Sequence, residues 1–184
     1  RQMETSLETI ESANEPLPAF TIDNADLALG AILNLQIDDG GTGYVDGTLS
    51  ATGGGGSGFS GTFTVDTNGT IIDAVITNRG DYSSDPTIVI DGPQPTGVNA
   101  SISITGRITV VYANITNTGP VVVPVDEVWL FLDGNNAENL ADIGPIVDSD
   151  NIYPSDTVGI QWRNIPSNVY ETIAMSTNGF NTAR

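Results

Sequence analysis

From Phe20 onward, no run of apolar or β-branched residues continues far before glycine, asparagine, aspartate or proline interrupts it. AILNLQI, GTFTV, TIIDAVIT, PTIVI, ASISI, ITVVYANI, VDEVWLFLD, VGIQW and ETIAMST succeed one another in this way. Runs this short do not build packed helices. Several alternate apolar with polar residues, the period of a strand with one face in a core. Turn residues at such close spacing predict an all-β chain of the sandwich or barrel kind.

The turns also carry an internal repeat. Gly30–Val65 laid over Gly69–Ile104 sets GAILNLQIDDGG on GTIIDAVITNRG and brings Tyr44 near Tyr82. It sets GTLSATG on PTIVIDG and SGFSGTFTV on TGVNASISI, so that Phe59 falls on Val98. Each copy reads as strand, Gly-Tyr turn, strand, Gly-rich turn, strand, and two such units can bury one shared core. The predicted organisation begins with either a short helix over residues 1–15, with Met3, Leu7 and Ile10 on one face and Pro16 and Pro18 ending it, or a frayed N-terminal segment. A linker over 16–29, a two-copy β-repeat module over 30–105 and an immunoglobulin-like β-sandwich over 106–184 follow. The last region is poorer in glycine and holds Trp129 and Trp162.

Missing side chains exclude much chemistry. The chain has no histidine and no cysteine, and its five basic residues, all arginine, face 23 acidic ones. Thiol nucleophiles, Ser-His-Asp triads, haem ligation and structural zinc are unavailable. A net charge of -18 repels nucleic-acid backbones and anionic membrane surfaces, favours solubility, and suits a high-salt environment such as that of a halophile. No apolar run is long enough to cross a membrane. The glycines of Gly53–Gly58 imitate a phosphate loop, but no lysine exists to reach a phosphate, and a strand rather than a helix follows. Paired carboxylates for glycoside hydrolysis are not singled out by any motif. The expectation is a protein that is not an enzyme.

Two resemblances bear on function. Gly41–Tyr44, Gly53–Gly58, Gly80–Tyr82, Pro86–Gly92 and Thr96–Gly97 form a turn pattern similar to one in tail fibres, adhesins and other extracellular proteins. It implies a β-rich surface module. VYANITNTGPVVVPVDEVWLFLDG resembles the archaeal archaellin and archaellum stator families, through Asn117-Thr118-Gly119 and Asp133-Gly134. YPSDTVGIQW and ETIAMSTNGFNTA resemble the next turn and the closing strand of those families, with Ser155 where glycine is usual. The resemblance implies an extracellular sandwich that follows a cleaved hydrophobic helix, and the N-x-S/T sequons of the chain are compatible with a glycosylated surface protein. RQMETSLETIESAN would be the polar exit of that helix, membrane anchoring would come only through a segment ahead of Arg1, and the glycine repeats would be an insertion.

Four sets of residues are candidates for a role. Asp148, Asp150 and Asp156 in VDSDNIYPSD could supply oxygens to calcium. Asn68, Asn99 and Asn114 head N-x-S/T sequons, and Asn68-Gly69 is also a hairpin signal. Val128, Trp129, Leu130 and Phe131 are apolar on both faces of one strand. This reads either as a strand buried in its own domain or as one with a face at a subunit contact. Arg79-Gly80-Asp81 spells an adhesion tripeptide that the repeat already explains as a turn. The functional expectation is a structural subunit of an archaeal surface filament or archaellum, self-associating or docking to surface-layer proteins. The alternative is a viral tail or capsid-surface module or a carbohydrate-binding adhesin.

Overall fold

The computed structural model describes residues 16–143, 150–163, 165–177 and 180–183. The helix expected over 1–15 and the carboxylate of Asp148 lie outside them. The described residues are mostly β-strand, arranged in several antiparallel sheets with no barrel among them. The chain divides into two compact units. One comprises Leu27–Val110 with Arg163–Val169, and the other the residues up to Asp26, Val111–Trp162 and those from Tyr170 on.

The linker expected over 16–29 is replaced from Phe20 by a strand, β1 (Phe20–Ile32), which passes from one unit into the other. Phe20, Ile22, Ala28 and Gly30 turn inward at even spacing, the strand period. The polar IDNAD stretch, part of the expected linker, is accommodated within the strand by Asn24 in the left-handed region, φ 51°.

The glycine-rich unit holds β2 (Leu35–Thr42), β3 (Gly47–Thr52), β4 (Ser57–Val65), β5 (Ile71–Asp81), β6 (Thr87–Ile90) and β7 (Val98–Ile104). They form a β5-β4-β3-β6 sheet and a β2-β7 ladder. The two outer pairings correspond. Leu35↔Ile104, Ile37↔Ile102, Asp39↔Ser101, Gly40↔Ala100 and Thr42↔Val98 in β2–β7 have counterparts in β5–β4. These are Ala74↔Phe63, Ile76↔Gly61, Asn78↔Ser60, Arg79↔Phe59 and Asp81↔Ser57. The bulges correspond as well, with Asp38 and Thr77 the extra residues. Strands β3 and β6 pair about Ser50↔Val89. In this correspondence Phe59 stands where Ala100 stands, two residues from the Val98 that the sequence alignment sets against it. Ladder hydrogen bonds, unlike residue similarity, decide register.

One core serves these strands. Ile32, Leu49, Phe59, Phe63, Ile71, Tyr82 and Ile102 are buried together, with Tyr44, Ile88 and Ile90 packed against them. Two glycine positions show why no side chain is tolerated. A Cβ on Gly43 (φ 75°) would lie 2.4 Å from the Thr96 carbonyl oxygen, and one on Gly97 would lie 2.6 Å from the Tyr44 ring.

The second unit holds β8 (Arg107–Asn117), shared with the first, then β9 (Val123–Pro124), β10 (Trp129–Leu132) and β11 (Asn135–Asn139). A short helix α1 (Leu140–Ile143) and β12 (Asn151–Ile152), β13 (Thr157–Trp162), β14 (Ile173–Thr177) and β15 (Phe180–Ala183) follow. The sheets run β1-β8-β13 and β11-β10-β14-β15, with a small β12-β9 ladder. Burial alternates along β8, β13 and β14, so Ala113, Ile115, Val158, Ile160, Trp162, Ile173 and Met175 point into the core.

Candidate functional site

The N-T-G turn after β8 is built around a buried asparagine. Asn117 is fully buried, and its amide donates to the carbonyls of Val121 at 2.8 Å and Ile152 at 3.0 Å. Its Oδ1 accepts from the Gly119 N–H at 3.0 Å. Its own backbone N–H donates to the Asp156 carbonyl, and its carbonyl accepts from the Ser155 N–H. Thr118 and Gly119 both donate to the Ala19 carbonyl, and a Cβ on Gly119 would lie 2.6 Å from the Ala19 nitrogen. Asn117 thus ties its own turn to residues 152–156, and the glycine two residues on allows Ala19 its close approach.

The D-G turn joins β10 to β11. Asp133 (φ 49°) and Gly134 (φ 72°) are both left-handed between the paired Leu132 and Asn135, as a two-residue hairpin of type I′ requires. The Asp133 carboxylate reaches across to the start of β14. It accepts from the N–H groups of Thr172 at 2.8 Å and Glu171 at 3.0 Å and from the Thr172 hydroxyl at 3.1 Å. The Thr172 and Glu171 amides hold its pKa below the ordinary 3.8. In YPSD, Ser155 has φ 72° behind Pro154, and the Asp156 N–H closes the turn on the Tyr153 carbonyl. Pro at the second position and a left-handed third residue fit a type II turn, where glycine is the strain-free choice.

Of the residues predicted for calcium, Asp150 and Asp156 are described. Asp156 accepts the Tyr153 N–H at 3.0 Å through one carboxylate oxygen, and the exposed Asp150 offers its carbonyl to the Val125 N–H. Among the described residues no three carboxylates converge to hold an ion. The acids near the first Gly-Tyr turn are likewise turn acceptors, Asp39 for Gly41 and Asp46 for Val65. The glycines 53–55 are all left-handed, and Ser83 and Ser84 donate to the carbonyls of Gly54 and Gly55. That geometry is a turn held by its neighbours. Arg79 donates to the carbonyls of Ile32 and Leu33, so the adhesion tripeptide has its guanidinium turned into its own unit.

The sequons are unlike one another. Asn68 is exposed in the β4–β5 hairpin turn. Asn99 is exposed in β7 with φ 65°. Asn114 is half-buried in β8, the middle strand of its sheet, opposite Gly159.

The apolar strand splits by face. Val128 lies just ahead of β10, and it and Leu130 are fully buried, so neither is open to a partner. The opposite face carries Trp129, 45% exposed, and the half-buried Phe131, with Ser176 and Ala174 beside them on β14. Both edges of β10 are occupied, by β11 and β14, so only that face is presented.

Sequence reasoning missed the tyrosine hydroxyls. Tyr44 Oη accepts the Ala100 N–H at 3.3 Å, and Tyr82 Oη accepts the Phe59 N–H at 3.2 Å. Alignment of the two tyrosines was the available signal, but it did not show what they touch. Comparison with family models, curated proteins and solved structures gives no match.

Proposed function

We propose that this chain is a structural, non-catalytic subunit of an archaeal cell-surface filament, of the archaellin or archaellum-stator kind. It would work outside the cell by packing against other subunits or docking to surface-layer proteins. The observation that carries the reading is the outward aromatic pair of β10. A tryptophan 45% exposed beside Phe131, on a strand whose edges are both filled, offers a flat apolar face of the sort that anchors protein contacts.

Further support comes from the turns the resemblance rests on, since Asn117-Thr118-Gly119, Asp133-Gly134 and Ser155-Asp156 each close a strand in this unit. The finer fold reading belongs to the same proposal: an immunoglobulin-like sandwich of the three- and four-stranded sheets, and a glycine-rich unit made of two copies of one strand-turn-strand-turn-strand element. Asn68, exposed in its turn, is the sequon best placed to carry a glycan.

Two observations test it. Filaments sheared from the source cells and analysed by mass spectrometry should contain peptides of this chain; confinement of the chain to the cell interior would overturn the proposal. Sequence ahead of Arg1 should encode an apolar helix of about 20 residues behind a short basic leader, and a leaderless polar segment there would count against a filament or stator role.

A further inference from the structure

In the glycine-rich unit, three of the four ladders among the described residues join one half of the sequence to the other, and only β3–β4 lies within a half. The first half supplies β2, β3 and β4 and the second supplies β5, β6 and β7. Yet β2 is laddered to β7, β5 to β4, and β3 to β6. Within a half, β2 pairs with neither β3 nor β4. The two crossings use corresponding registers, with corresponding bulges at Asp38 and Thr77. Each Gly-Tyr turn also sends its tyrosine hydroxyl to the third strand of the other half, Tyr44 to Ala100 and Tyr82 to Phe59.

We infer that the two halves form an interface that the matching half of a second copy of this chain can fill, so that two chains exchange their N-terminal parts through the β4–β5 turn. The partner's half brings the same residues in the same register, so an exchanged unit re-forms the same ladders and tyrosine contacts. The turn Asp66–Thr70 is the hinge: it gives up the bonds it accepts from the Gly43 and Tyr44 N–H groups, while the β1–β8 ladder separates and re-forms with the exchanged part. Asp66 now holds the turn, accepting from the N–H groups of Asn68 and Thr70, and Gly69 donates to the Asp66 carbonyl. Five residues extended reach roughly 17 Å, which leaves room for the chain to pass between two units. A short link gives the closed form an effective concentration of roughly millimolar, so exchange is expected on refolding as the protein approaches that concentration, a low-cost route to dimers. The inference stands apart from the filament proposal and would hold for a chain with any other role.

The native chain has no cysteine, which makes the test clean. Gln36 and Ser103 are opposite one another and exposed, at a separation cysteines can bridge. Full-length Gln36→Cys and full-length Ser103→Cys are mixed, unfolded, refolded together from about 10 µM to about 1 mM, and oxidised. The double variant Gln36→Cys/Ser103→Cys serves as the control for bond formation within one chain. Should that control fail to close, the corresponding exposed pair Thr62→Cys and Val75→Cys takes its place. A 36–103 linked heterodimer, identified by peptide mapping, that rises with concentration in the co-refolded sample and is absent when the two folded proteins are merely mixed is the expected result. No such heterodimer at any concentration, or equal amounts with and without unfolding, would overturn the inference.

Discussion

Asn117 is a buried polar residue of the second unit whose hydrogen-bonding groups, both amide hydrogens, the amide oxygen and both backbone groups, are all engaged. Asn117→Ala leaves the carbonyls of Val121 and Ile152 without their donor and is expected to cost about 2–4 kcal/mol in urea unfolding. Ser155 presents the opposite case. It pays left-handed strain at φ 72°, and Ser155→Gly should raise stability by about 0.5–1 kcal/mol. A shifted urea midpoint with an unchanged slope would show it; a lower midpoint would mean that the serine side chain supplies something the backbone geometry does not reveal.

At the scale of elements, hydroxyls and carboxylates lock strands to turns. Tyr82 is buried, and Tyr82→Phe leaves the Phe59 N–H without its acceptor, an expected loss of about 1–2 kcal/mol. Tyr44 is half-buried, and Tyr44→Phe should cost less. Asp66 and Asp133 are held below the ordinary 3.8 first by the backbone amides of Thr70 and Thr172 respectively. A carboxylate with a depressed folded pKa contributes its stability above 3.8, and that contribution drains away as pH falls through the folded value. Melting temperature should therefore drop as pH falls below about 4, and Asp66→Asn with Asp133→Asn should flatten that drop. An unchanged acid slope in the double variant would remove these two groups as its cause. Strand identity at this scale was largely legible: the short alternating runs became strands, and Asn68-Gly69 and Asp133-Gly134 became hairpin turns. The polar IDNAD stretch inside β1 was not, because one left-handed asparagine lets a strand continue where composition reads a linker.

For the whole molecule, charge and the outward aromatic face set behaviour. A net charge of -18 repels itself, and salt screens it. Melting temperature is expected to rise from about 10 mM to about 1 M salt, and a flat or falling curve would show that the acids are not a burden on the fold. Trp129→Ser removes an exposed side chain and should change stability by less than about 0.5 kcal/mol while weakening any self-association seen by analytical ultracentrifugation. Association unaffected by the change would move the contact elsewhere.

What the sequence determined by itself is local. Period-two alternation marks strands, and Gly, Asn and Asp mark left-handed turns, because both depend on backbone sterics within a few residues. The missing cysteine, histidine and lysine likewise exclude chemistry without any fold. The tertiary structure alone decided which strands pair, the two-residue difference that sets Phe59 against Ala100, the burial of Asn117, and the outward turn of Trp129 away from buried Val128 and Leu130. These are long-range choices. A strand's hydrogen bonds can be satisfied by any neighbour, and only the packing of a shared core selects one partner, one register and one face.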